Sequence, residues 1–133
     1  MIELVLNKIK VDESRNEQVI VLREKDGHRL LPVVIGIAEV NAIKLKLSGI
    51  KPPRPLTHDL LVNIIENLGA KLVKILIDKL ENNTFYAKLF LALDSKEVLI
   101  DARPSDSVAL ALRAGVPIFV EEGVLKEAGV SEF

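Results

Sequence analysis

Leu30-Leu31-Pro32-Val33-Val34-Ile35-Gly36-Ile37-Ala38-Glu39-Val40-Asn41-Ala42-Ile43-Lys44-Leu45-Lys46-Leu47-Ser48-Gly49 is the stretch in which this chain changes its hydrophobic period. Leu30 to Ile35 is a continuous apolar run of the kind a buried strand presents. From Ile37 onward Val40, Ile43 and Leu47, with Ala42 and Leu45, recur every three to four residues and mark one face of a helix. Gly49 supplies the stop. A strand that feeds directly into an amphipathic helix predicts a domain in which helices cover a sheet.

On the N-terminal side, Val19-Ile20-Val21-Leu22 is a second β-branched run, and Lys25-Asp26-Gly27-His28 is turn chemistry, so the two runs read as a hairpin. Residues 2 to 11 carry apolar side chains on both faces of an extended segment, which predicts a central or two-sided strand. On the C-terminal side, Lys51-Pro52-Pro53-Arg54-Pro55 cannot continue a helix, because proline lacks the backbone donor and holds its predecessor extended. Thr57 is expected to cap a second helix with Leu60, Leu61, Ile64, Ile65 and Leu68 inward and Gly69 at its end. Residues 71 to 80 and 84 to 93 read as paired strands around Glu81-Asn82-Asn83, and Lys96 to Asp101 as another short strand. Pro104 opens a third helix through Ala114, with Val108, Ala111 and Leu112 inward. Pro117 to Val120 forms a last strand before a charged terminal helix. No linker divides the chain, so residues 1–133 are expected to form a single α+β domain, a mixed or antiparallel sheet with helices packed against it.

Composition narrows the function. The 133 residues are 49% hydrophobic and 28% charged, and 18 basic side chains against 19 acidic leave a net charge of -1. Disorder is excluded, and so is coating of nucleic acid or an anionic membrane through bulk electrostatics; such a partner would have to meet a local patch. With no cysteine, metal chemistry is restricted to oxygen and imidazole ligands. The N-terminus lacks a basic n-region and a cleavage site, and the longest apolar run, Leu30 to Ala38, falls far short of the roughly 18 residues that span a bilayer. A soluble cytoplasmic protein is expected. The apolar fraction, with a mean hydropathy of +0.28, further predicts surface buried between copies and hence a homodimer.

Two constellations carry candidate chemistry. The first is Thr57-His58-Asp59 after the rigid proline approach, at a helix start whose free N–H groups and partial positive charge suit an anion. Adjacent helical residues point about 100 degrees apart, so His58 and Asp59 do not share a metal on a regular first turn. The second is Asp101-Ala102-Arg103-Pro104-Ser105-Asp106, a strand-to-helix junction where acids suit a divalent ion. A purely structural reading of both is available: caps, dipole complements, and Arg103 paired to Asp101. Charge distribution adds a hint. Between Val40 and His58 there is no acid, while Lys44, Lys46, Lys51 and Arg54 gather; after Leu93 acids predominate. An anionic substrate is drawn to the first stretch and a cation to the second. Glycine loops for phosphate, serine elbows and His-Glu-x-x-His helices are absent.

Pro53-Arg54-Pro55-Leu56-Thr57-His58-Asp59-Leu60, with Leu68-Gly69-Ala70, Phe85-Tyr86-Ala87 and Ile100-Asp101-Ala102-Arg103-Pro104-Ser105-Asp106-Ser107-Val108-Ala109-Leu110-Ala111, resembles the bifunctional nuclease family over about Ile2 to Ala128. The family's Gly-x-x-Glu-Ala pattern is matched by Gly36-Ile37-Ala38-Glu39, with Val40 departing, and Ser107-Val108 stands where Ala-Ile is commoner. The resemblance implies a nuclease acting on RNA and DNA in an α+β domain that tends to associate.

The residues themselves then suggest a phosphodiesterase in which Asp101, Asp106 and Glu39 hold Mg²⁺ or Mn²⁺. Asp59, in the catalytic set, is the alternative to Glu39 on the metal, His58 acts as general base or protonates the leaving oxygen, and Arg54 and Arg103 stabilise charge on the phosphate. This requires the segments around Arg54 to Asp59 and Asp101 to Asp106 to converge. The alternative is a non-catalytic dimeric domain that binds a small anionic ligand or a partner protein, with the arginines paired to Asp59, Asp101 or Asp106.

Overall fold

The strand-to-helix change at Gly36 falls where the periodicity predicts it. In a computed structural model describing residues 1–12, 14, 15 and 17–133, β1 (Ile2–Asp12) and β3 (Leu30–Ile35) each pair antiparallel with β2 (Glu17–Glu24), which lies between them. The helix α1 (Ile37–Ser48) follows and ends at Gly49, whose φ of 74° is left-handed. Next come α2 (Thr57–Asn67), β4 (Ala70–Glu81), β5 (Thr84–Leu93), β6 (Lys96–Ala102), α3 (Pro104–Ala114), β7 (Ile118–Val120) and α4 (Glu122–Ala128). The β4–β5 turn places Asn82 and Asn83 at φ 51° and 60°, the left-handed pair that a tight hairpin needs and that asparagine tolerates.

All seven strands form one sheet in the order β3-β2-β1-β7-β4-β5-β6. The short β7 joins its two antiparallel halves, pairing antiparallel with β1 and parallel with β4. The sheet is therefore mixed, and with four helices the domain is α+β. β1 is central only at Ile2 to Leu4, where β7 flanks it; Val11 near its other end is 48% exposed. The expectation of a two-sided strand thus holds for one end, because β7 is only three residues long. β2 has side chains buried on both faces, Ile20 and Leu22 in the main core and Val19 and Val21 in a smaller cluster with Leu30.

Helix α3 lies at the centre of the helical layer, touching α1, α2 and strands β3, β4 and β5. It is buried nearly all round: Val108, Ala109, Leu110 and Ala111 are all at most 3% exposed. Small residues make this possible by letting neighbouring elements approach. Leu112, expected inward with Val108 and Ala111, is half-buried. Among the described residues no helix is long and apolar enough to cross a membrane.

Helix α2 differs from the sequence reading. Leu60, Leu61, Ile64 and Leu68 point outward, 51%, 39%, 44% and 75% exposed, while His58 and Val62 are the buried residues. The chain offers two apolar stripes on this helix. The inward one carries His58, Val62 and Ile65: Ile65 packs against the core as expected, and His58 meets Asp106 of α3.

Candidate functional site

Helices α1 and α2 are joined by the loop Gly49 to Leu56, which Pro52, Pro53 and Pro55 keep extended. Leu56, not Thr57, occupies the cap position of α2. Its side chain cannot accept from the N–H groups of the first turn, and the side-chain contact present is the reciprocal one: Leu56 N donates to Asp59 Oδ2 at 3.1 Å. The other oxygen, Oδ1, accepts from Nε of Arg113 in the last turn of α3. Burial works to raise the Asp59 carboxyl, but the Leu56 N–H and the Arg113 guanidinium outweigh it and hold the group below the ordinary aspartate range.

His58, one position earlier, turns the other way. Its Nε2 lies 3.0 Å from Asp106 Oδ1, and the residue is only 6% exposed. An ionised carboxylate only accepts, so Nε2 carries the proton, and in the neutral ring Nδ1 keeps its lone pair. Asp106 Oδ2 accepts from Arg103 Nε at 2.9 Å, and Arg103 Nη2 donates to Glu39 Oε1 at 3.1 Å. These contacts, first with Asp106 and then with Glu39, raise the guanidinium pKa above its ordinary value. Ser107 Oγ donates to the Arg103 carbonyl at 2.8 Å and steadies the helix entry. Glu39 is 5% exposed and folds back over Gly36, where an added Cβ would lie 2.8 Å from its Oε2. That close approach is the physical content of the Gly-x-x-Glu spacing.

The first turns of α1, α2 and α3 are thus tied by one chain of polar contacts, Glu39 to Arg103 to Asp106 to His58. Beside it opens a cavity of about 490 Å³ between the end of α1, the proline loop and the start of α2. Its polar lining is Lys46, Lys51, His58, Asp59, Asn63 and Arg113, and the rest of its wall is largely apolar.

The structure brings together Glu39, His58, Arg103 and Asp106, and sets Asp59 beside them on a different partner. His58 and Asp59 diverge as helix geometry predicts. Arg54 is exposed between Pro53 and Pro55, which line the cavity, and among the described residues it has no polar partner. Asp101 is not brought to Glu39 and Asp106: its side chain is 82% exposed and lies 3.4 Å from Lys88. Nor does Arg103 pair with it. Among the described residues no group of three or more His, Asp and Glu side chains could hold a metal ion. Glu39 and Asp106 already share Arg103 between them, so the expected Mg²⁺ or Mn²⁺ set does not fit this arrangement. Arg113 escaped the sequence reading, because a basic residue in the last turn of a helix looks like a complement to the dipole. Lys46 and Lys51 were signalled by the acid-free stretch that contains them.

As built, the site pairs the His58 ring with Asp106 and lines one cavity with three cationic side chains, Lys46, Lys51 and Arg113. A family profile described as the bifunctional nuclease domain matches residues 20–132. An uncharacterised protein of Mycobacterium tuberculosis (strain CDC 1551 / Oshkosh) is 49% identical over 92% of this chain and 73% of its own length. Bifunctional nuclease 1 of Oryza sativa subsp. indica is 28% identical over 92% of this chain, which spans 38% of the rice protein. Bifunctional nuclease 1 of Arabidopsis thaliana is 28% identical over 77% of this chain and 33% of its own length.

Proposed function

The chain belongs to the bifunctional nuclease domain family, and we propose from that premise that it hydrolyses phosphodiester bonds of RNA and DNA at His58. The observation that carries this reading is the 3.0 Å contact between His58 Nε2 and Asp106 Oδ1 at the wall of a cavity lined by Lys46, Lys51 and Arg113. Asp106 fixes the tautomer, so His58 Nδ1 takes a proton from water as the water oxygen bonds to phosphorus. The imidazolium, stabilised by Asp106, returns that proton to the leaving oxygen as the old P–O bond breaks. Lys46, Lys51 and Arg113 stabilise charge gathering on the non-bridging oxygens. Arg103 and Glu39 position Asp106, and Asp59 orients Arg113. Arg54, exposed beside the cavity, meets the approaching strand.

The test is cleavage of single-stranded RNA and DNA by the purified chain, with Mg²⁺ or Mn²⁺ and again after chelation. Removal of the general base in His58→Gln lowers cleavage by about 10²- to 10⁴-fold, with circular dichroism verifying the fold. Cleavage by His58→Gln equal to the wild type overturns the assignment. Strict dependence on the ion would return Mg²⁺ or Mn²⁺ to the mechanism. Ligand binding without any cleavage would favour the non-catalytic alternative.

We further propose a homodimer through the outward face of α2, since a stripe of large aliphatic side chains on one helix can meet its own copy across a two-fold axis. A cytoplasmic location completes the reading and accords with the cysteine-free composition.

A further inference from the structure

The cavity beside His58 has a chemistry of its own. Lys46, Lys51 and Arg113 line the cavity with a single carboxylate, Asp59, and among the described residues neither lysine ammonium has an ion-pair or hydrogen-bond partner. The excess is two positive charges. An internal phosphodiester carries one negative charge, whereas a phosphate monoester carries about -1.5 to -2 at neutral pH, so the cations that stabilise charge gathering during cleavage of a diester hold most tightly the terminal phosphate which that cleavage leaves. The apolar part of the lining, Leu45, Ile50 and the prolines of the loop, suits the apolar faces of a sugar and base. Asn63 and Asp59 offer hydrogen bonds to their edges. At about 490 Å³ the space lies within the roughly 300–1,000 Å³ of pockets that enclose one small molecule.

We propose that this cavity binds one nucleoside monophosphate unit through its phosphomonoester, free or at the phosphorylated end of an unpaired strand. The phosphate sits against Lys46, Lys51 and Arg113, and the nucleoside rests on the proline wall. A duplex end is disfavoured because its terminal base must first unpair and unstack to enter. The identification of the ligand as a nucleotide rests on the nuclease reading, but occupation of the cavity is measured without catalysis.

The experiment is calorimetric titration of the full chain with adenosine 5′-monophosphate, adenosine and inorganic phosphate. Single-stranded oligonucleotides with and without a terminal phosphate are titrated in parallel. Adenosine monophosphate and the phosphorylated strand should each bind at least about tenfold more tightly than their unphosphorylated forms, as loss of charge-assisted hydrogen bonds implies. Lys46→Ala with Lys51→Ala should remove that advantage, while Lys25→Ala, remote from the cavity, should keep it. No binding of adenosine monophosphate, binding indifferent to the paired lysine substitutions, or inorganic phosphate binding as tightly as the nucleotide would each overturn the proposal. Cleavage that depends on His58 without nucleotide binding overturns this inference and leaves the nuclease reading intact. Nucleotide binding without cleavage does the reverse.

Discussion

Gly36 and Glu39 are joined through space as well as through sequence. The Cβ that alanine would add at position 36 falls 2.8 Å from Glu39 Oε2, so the carboxylate must swing aside, and because Glu39 is 5% exposed and accepts from Arg103, that movement costs it the contact at the far end of the chain that fixes His58. Gly36→Ala should therefore destabilise the fold by about 1–3 kcal/mol, as overpacking does, in urea titrations followed by circular dichroism. Combining it with Glu39→Ala should restore part of that loss, since the clash disappears with the carboxylate. Full additivity of the two substitutions would show that they do not meet. The Gly-x-x-Glu spacing was visible in the sequence, but its reason was not. Only the fold reveals that the carboxylate turns back over the glycine toward an arginine sixty-four residues away.

At the scale of elements, α2 separates what periodicity can decide from what it cannot. The helix and its proline approach were legible because each signal is local. Its inward face was legible only at Ile65, because two apolar stripes compete and the inward one carries His58, whose partner Asp106 comes from a distant segment. The outward stripe carries a cost: side chains 39–75% exposed forgo a corresponding fraction of the roughly 1.5–3 kcal/mol that full burial of each gives, an incentive for contact between copies. Sedimentation equilibrium should report a dimer for the wild type and a monomer for Ile64→Lys, with little change in the stability of the monomer because Ile64 is 44% exposed. A wild type that sediments as a monomer, or an Ile64→Lys variant that still pairs, would contradict the α2 interface.

At the scale of the whole molecule, the short β7 binds the two halves of the sheet, and α3 gathers the first turns of α1 and α2 around its own. The strand and helix order was legible from the change of period, the turns and the prolines. The site was legible only as two segments, because their convergence is a property of packing. Ion pairs between distant elements also set the response to acid. Glu24 and Glu122 both hydrogen-bond Arg29, and those contacts hold both carboxyls below their ordinary range; Asp59 is depressed as well. The folded state therefore binds fewer of these protons than the unfolded chain. Their stabilising effect is fully present above the unfolded carboxylate values of about 4 and is lost as pH falls through the lower folded ones. Urea midpoints should drop below about pH 4, and Asp59→Asn should flatten the drop; a midpoint independent of pH down to 3 would contradict this. We propose that His58 and Asp106 act as one catalytic unit. Measurement of kcat/KM on single-stranded RNA for His58→Gln, Asp106→Asn and the double variant, each verified as folded, tests it. The double variant should lose no more than His58→Gln alone. Losses that multiply, or single variants as active as the wild type, would contradict it.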